Sequence, residues 1–314
     1  MVTAAPGHRR LAAAYATCGR FARAHYENFP VASRLLPAAM RPHVAAVYAF
    51  ARVADDFADE GDLPVPDRLA RLDAWLAHLR HAASAAGPPP PVDEWLPAET
   101  EDIFLALGCT MQDRQLPMSL FEDLLSAFRQ DVTTRRYASW GDVLDYCRRS
   151  ANPVGRLVLG IAGERDERLN LASDAVCTAL QLTNFWQDLE RDWQKGRLYL
   201  PLDECDREGA DLADLDRRRL TPAWRRVLQA AAERTGALFT EGRPVCDGVK
   251  GRLRLELRVT WLGGRRILER LEEASFDVFT RRPQLGAADA PSILWRALTW
   301  RERARDAAVP AGDR

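Results

Sequence analysis

The chain has 314 residues, 47% of them hydrophobic, enough to bury one large core or two medium ones. Lys and Arg number 44 against 45 Asp and Glu, so no basic excess supports nucleic-acid binding. Six scattered cysteines without a C-x-x-C pair, five histidines without H-E-x-x-H, and no uncharged apolar run near the roughly 18 residues of a bilayer span argue against a disulfide framework, a zinc site and a transmembrane helix.

In chain order the pattern predicts helices and almost nothing else. A first helix covers about Arg9 to Tyr26, rather than an export signal at Arg9-Arg10, and ends near Asn28-Phe29-Pro30. This points to the cytoplasm. Pro37 and Pro42 stand at the start of a second helix, where proline is tolerated, and Gly61 caps its end. A third runs from about Pro66 to Ala83, with His78 and His81 expected on a solvated face. Gly87-Pro88-Pro89-Pro90-Pro91 cannot be helical and reads as an exposed loop within one domain, because helical periodicity resumes after it. Helices follow at about Ala98–Met111, Ser119–Arg129 and Trp140–Arg149. Asn152-Pro153-Val154-Gly155 reads as a break or kink before a small-residue helix, Arg156–Ala162. A long helix from near Asn170 leads into an irregular strap, Gly196 to Pro201. Helices at about Pro222–Glu241, Arg252–Glu273 and Ser292–Arg305 complete an all-α chain. A single domain is expected over residues 1–285, then a C-terminal helix and a frayed tail over 286–314.

Two stretches carry the chemistry. In the second helix, Tyr48, Arg52, Asp55 and Asp59 follow the 4, 3, 4 spacing of one helical stripe. In the long helix, Gln181, Asn184, Asp188 and Asp192 form another, beside apolar neighbours that include Phe185 and Trp186. A single D-x-x-x-D is usually a solvated face. Two such pairs inside strongly apolar helices can instead face each other and form a cage of hard oxygens suited to Mg²⁺ and a diphosphate. Gly263-Gly264 follows no strand and starts no G-x-G-x-x-G, so it is not a dinucleotide loop. Arg252, Arg254, Arg258, Arg265, Arg266 and Arg270 either touch anionic lipid or form a solvated face paired with Glu256, Glu269, Glu272 and Glu273.

With these motifs in order, the chain resembles the squalene/phytoene synthase family over about residues 10 to 285. The carrying residues are Tyr48-x-x-x-Arg52-x-x-Asp55-x-x-x-Asp59, Tyr146-Cys147-x-x-Ser150-Ala151-x-x-Val154-Gly155, Gln181-x-x-Asn184-x-x-x-Asp188-x-x-x-Asp192 and Arg197-x-Tyr199-x-Pro201. His25 to Ser33 is similar to the branch of bacterial hydroxysqualene synthases in hopanoid pathways. The resemblance implies an isoprenoid-synthase helical bundle around an apolar cavity, and Mg²⁺ bridging Asp55, Asp59, Asn184, Asp188 and Asp192 to a substrate diphosphate. Arg52 is expected to meet the diphosphate. Arg197 and Tyr199 are expected over the leaving group, or Tyr199 merely packs the strap. Tyr48 and Gln181 complete the substrate contacts, with His25 or Asn28 holding a water. Two positions depart from dehydrosqualene synthases: Gln187 stands for a diphosphate-binding Arg, and Gly264 for a substrate-contacting Tyr, which is expected to open space.

The implied reaction is a carbon–oxygen cleavage turning presqualene diphosphate and water into hydroxysqualene and diphosphate. Head-to-head condensation of two farnesyl diphosphates, or a non-catalytic isoprenoid-binding role, is the alternative. The implied partner is an isoprenoid diphosphate and not nucleic acid. Peripheral membrane contact and neighbouring squalene-pathway enzymes stay open.

Overall fold

A computed structural model describes residues 6–24, 35–84 and 88–300. Those residues form helices and no named strand, in line with the all-α class expected from the sequence. They pack as two compact units.

The first unit holds α1 (Pro6–Ala24), α2 (Arg41–Asp59), α3 (Val65–Ser84), α4 (Thr100–Arg114) and α5 (Met118–Thr133), with residues 156–165. Its centre is an aromatic cluster. Phe50 stacks on Trp75 at 6.1 Å and meets Phe121 edge-on at 5.6 Å, while Trp75 meets Phe104 at 4.5 Å. Full burial of a side chain such as Phe50 is worth about 1.5–3 kcal/mol. The Trp75 indole N–H is satisfied by the Phe50 carbonyl at 3.1 Å, so the ring can sit in the core without an orphaned donor. His78 belongs to this cluster. It is 6% exposed and stacked 5.1 Å from Phe104, which corrects the expectation of a solvated face: the apolar neighbours one turn away carry it inward.

The second unit holds α6 (Trp140–Ser150), α8 (Glu167–Gln187), α9 (Leu189–Gln194), α10 (Leu202–Glu208), α11 (Leu212–Asp216), α12 (Pro222–Gly242), α13 (Val245–Gly248), α14 (Gly251–Glu273) and α15 (Asp289–Thr299). A capping box between Ser139 and Asp142 starts α6, and the Asp166 side chain starts α8 by accepting from the Arg168 amide. The break or kink expected at Asn152-Pro153-Val154-Gly155 is present but lies just before that stretch. The stretch itself opens α7 (Asn152–Ala162), and the interruption falls at Ala151. Proline is accommodated because it lies in the first turn, where its missing N–H costs nothing. The short helices α9, α10, α11 and α13 escape any reading by periodicity, being two turns or less. All six cysteines are free thiols, and burial pushes Cys177, Cys205 and Cys246 up to about 12.

The arginines of α14 are held by protein partners. Arg254 donates to the Val249 carbonyl at 2.7 Å, Arg258 to Asp247 at 2.7 Å and Arg266 to Glu273 at 2.8 Å. Arg270 donates to both oxygens of Asp289 at 2.8 Å. Glu256 is 4% exposed, so it is no part of a solvated acidic face.

Candidate active site

The α2 stripe lies in the first unit. Tyr48, Arg52, Asp55 and Asp59 are all half-buried, flanked by buried Ala49, Phe50, Val53, Ala54, Phe57 and Ala58. The helix is uninterrupted, so the carboxylates of Asp55 and Asp59 keep their one-turn separation. Its end is gripped from outside: the Arg68 guanidinium donates to the carbonyls of Phe57, Ala58, Glu60 and Gly61. Those are the acceptors a helix end leaves unmade. Gly61 turns the chain at φ +72°.

Arg52 bonds Asp55 at 3.2 Å, and Asp56 and Glu60 at 2.6 Å each. Burial opposes its charge, but Asp56, Asp55 and Glu60 outweigh it and raise its pKa. Asp56 and Glu60 lie off the predicted stripe, yet they supply the shortest of these contacts. The arginine is thus fixed by three carboxylates at the acidic end of α2.

The second stripe lies in the second unit and differs from expectation. One continuous helix was expected; α8 stops at Gln187, Asp188 adopts φ −101° and ψ 10°, and α9 begins at Leu189. The break does not scatter the donors. The Asp188 amide still bonds the Asn184 carbonyl at 2.8 Å, and the Asp192 amide bonds the Asp188 carbonyl at 2.9 Å. Asn184, Asp188 and Asp192 therefore remain one turn apart, with Gln181 a turn earlier.

Asp188 is held by a residue 94 positions away. Arg282 Nε meets one carboxylate oxygen at 2.5 Å and Nη2 the other at 2.9 Å, a bidentate pair. The Asn184 amide adds a bond at 2.9 Å. Gln187, one of the two departures from the dehydrosqualene pattern, donates to the Pro283 carbonyl at 2.5 Å. Arg270 donates to the Gln284 carbonyl. Arg282 and Pro283 are thus tied to the Asp188 turn at two consecutive positions, and Gln284 is tied to α14. Arg282 was missed by reading the sequence. Its only signal was an Arg-Arg-Pro run without helical periodicity.

The strap begins on the same turn, with the Arg197 amide bonding the Asp192 carbonyl at 2.7 Å. Leu198 bridges to the 135–138 segment, its amide bonding the Arg135 carbonyl at 3.0 Å. Arg197 is buried, 8% exposed. The Tyr199 ring lies flat on Phe185 at 3.7 Å and near-parallel to Tyr137 at 5.5 Å, with Tyr146 within 5.9 Å. Tyr199 therefore packs the strap onto the helix face beside Asn184.

Gly264 does not open space. A Cβ there would lie 2.5 Å from Leu180 Cδ2 and 2.7 Å from Phe239 Cζ. The glycine lets α14 approach α8 and α12, and neighbouring side chains fill the room a larger residue would take. His25 and Asn28 lie outside the described residues.

The donors on both stripes are carboxylates and an amide, with no sulfur or imidazole, as a hard divalent cation requires. Among the described residues no three His, Cys, Asp or Glu side chains already converge as a metal cage. The Asp188 oxygens are engaged by Arg282 and Asn184.

Residues 22–289 match the family model described as squalene/phytoene synthase. The chain is 38% identical to a hydroxysqualene synthase of Rhodopseudomonas palustris, over 78% of this chain and 80% of that protein. It is 34% identical to a hydroxysqualene synthase of Zymomonas mobilis, over 82% and 80%. Among solved structures, a squalene synthase HpnC from Alicyclobacillus acidocaldarius superposes with a TM-score of 0.76 at 40% identity, covering 85% of this chain and 95% of that one. The half-buried α2 stripe, the Asn184–Asp188–Asp192 ladder and these matches make the chain a member of the squalene/phytoene synthase family.

Proposed function

We propose that the protein converts presqualene diphosphate and water into hydroxysqualene and diphosphate. The observation that carries the reading is a pair of acidic stripes, each with its own arginine, in a chain 38% identical to a hydroxysqualene synthase. Asp55 and Asp59 from α2 and Asn184, Asp188 and Asp192 from α8 and α9 would hold Mg²⁺, which when bound supplies the positive charge that lets diphosphate leave.

The protein's own part begins with charge. Arg52 is fixed and kept protonated at the acidic end of α2, positioned to receive diphosphate oxygens as they become more anionic. The C–O bond breaks with its electron pair leaving on diphosphate. The cyclopropylcarbinyl cation rearranges, a water oxygen bonds the allylic cation, and the water's proton passes to the released diphosphate. The buried Tyr137–Tyr146–Phe185–Tyr199 cluster holds the strap against α8, and a water-poor wall of this kind would limit early quenching by water. His25 or Asn28 would hold the water that reacts. Gln187, engaged with the Pro283 carbonyl, supplies no charge for a second diphosphate, which suits a substrate carrying only one.

A second reading, reduction of the same cation to squalene, is favoured by the structure similar at 40% identity, whose name is squalene synthase. Incubation with presqualene diphosphate in ¹⁸O-labelled water, with and without NADPH, separates the two. Labelled alcohol under both conditions supports hydroxysqualene formation. Squalene appearing only with NADPH replaces it, and absence of diphosphate release with Mg²⁺ points to a non-catalytic binding role.

A further inference from the structure

We infer that the outer face of α15 is a docking surface for an anionic lipid bilayer. The helix begins where the family match ends, at Asp289, and is amphipathic in an unusual way. Its inner face is fastened. Ile293 and Ala297 are buried, Arg270 clamps Asp289, and Arg258 donates to the Ala297 carbonyl at 3.3 Å. The terminal Trp300 donates its indole N–H to Asp247 at 3.1 Å. Its ring lies 4.7 Å from the guanidinium carbons of both Arg243 and Arg258 and meets Trp261 edge-on. A helix anchored this firmly cannot roll to hide its other side.

That other side carries Leu294, Trp295 and Leu298, which are 44%, 68% and 60% exposed. Positions 294, 295 and 298 share one helical face. Trp295 is the most exposed of the large apolar side chains among the described residues.

Area and charge choose the occupant. With full side-chain areas of roughly 150–250 Å², the three residues expose on the order of 300–400 Å². A stable protein interface takes about 800 Å² from each partner, so this face alone is too small for a second copy. It is large enough for an interfacial helix, where two or three apolar side chains and a tryptophan enter the headgroup boundary. In a chain with a net charge of −1, the stretch 290–306 carries Arg296, Arg301, Arg303 and Arg305 against Glu302 and Asp306, a net +2, and Asp289 just before it is paired with Arg270. Basic residues next in sequence to an apolar helix add attraction to anionic lipid. No helix among the described residues is long and apolar enough to cross a membrane, so contact here is peripheral.

The test is flotation of the full chain with vesicles of phosphatidylcholine alone or mixed equally with phosphatidylglycerol. The wild type should float with the mixed vesicles and release at high salt, and Trp295→Ser/Leu298→Ser should bind at least roughly tenfold more weakly, since it removes most of the inserted area. Circular dichroism checks that the double variant is folded; if it is not, Leu298→Ser alone goes through the same assay. Undiminished binding by the variant, or no binding by the wild type to either vesicle, overturns the proposal. So does self-association of the wild type in sedimentation velocity that the variant loses, which would make the face a contact between copies.

Discussion

The two acidic stripes look alike in the sequence and are built differently. On α2 the carboxylates sit on an unbroken helix, and their arginine, Arg52, comes from the same stripe. On α8 and α9 the helix breaks at the central carboxylate, and the arginine arrives from beyond α14. The first half is fixed within one helix and by Arg68 of the next one, so every contact that sets it is close in sequence. The second is fixed by tertiary contacts through Arg282 and Pro283, so it is the half a substitution or a ligand can rearrange.

The largest effect should come from the tertiary half. Asp188→Asn removes a charge from the middle of the donor ladder and should cut Mg²⁺-dependent turnover by roughly a hundredfold or more. Thermal unfolding without metal should change by only about 1 kcal/mol, because the amide keeps one bond to Arg282. Full activity in that variant would remove Asp188 from the site.

Exchanging the arginines sharpens the contrast. Arg52→Lys keeps the charge and loses the fork, so KM for the diphosphate should rise by roughly tenfold while the α2 helix is undisturbed. Arg282→Met should act in the opposite sense on metal binding. With Asp188 released, Mn²⁺ followed by electron paramagnetic resonance in the absence of substrate should bind more tightly. Weaker Mn²⁺ binding would show that Arg282 orders the carboxylate rather than competing for it.

Gly264→Ala probes packing rather than chemistry. Its methyl would meet Leu180 and Phe239 inside normal contact distance, so a loss of about 1–3 kcal/mol is expected from denaturant midpoints. An unchanged midpoint would restore the open space that the sequence suggested.

The smallest effect concerns pH and lies away from both stripes. His43 is buried, its Nε2 accepts from Arg114 at 3.0 Å, and its Nδ1 lies 3.0 Å from the Thr110 hydroxyl and 3.2 Å from that of Tyr15. Burial, and then the Arg114 charge, lower its pKa, with Asp113 pulling the other way. The unfolded chain, with its His near 6.5, then takes up a proton before the folded one does. Stability should be flat above that pH and fall as pH drops below it. A His43→Asn variant should lose this part of the slope in urea titrations between neutral and mildly acidic pH.

The all-α class and the α2 stripe were legible in the sequence because both rest on local periodicity, which Tyr48, Arg52, Asp55 and Asp59 display without reference to distant residues. Asn184, Asp188 and Asp192 were legible for the same reason, but the break at Asp188 was not, since the main-chain bonds keep their register through it. Arg282 could not be read because its significance depends on a contact across 94 positions. His78 and Gly264 misled for a common cause. A polar or small residue was judged by its own chemistry, whereas Phe104 and Trp75 in one case, and Leu180 and Phe239 in the other, decide what the position does.

The grip of Arg68 on the end of α2 bears on timescale. A helix terminus ordinarily frays within nanoseconds to microseconds, and its last amides exchange with solvent almost freely. Here the final carbonyls are tied to a side chain rooted in α3, so the turn carrying Asp59 can open only when that guanidinium lets go of several acceptors together. The amides of Asp59 and Glu60 should therefore exchange deuterium at the slow pace of the α2 interior, and a carboxylate at the very tip of a helix spends its time where catalysis would need it.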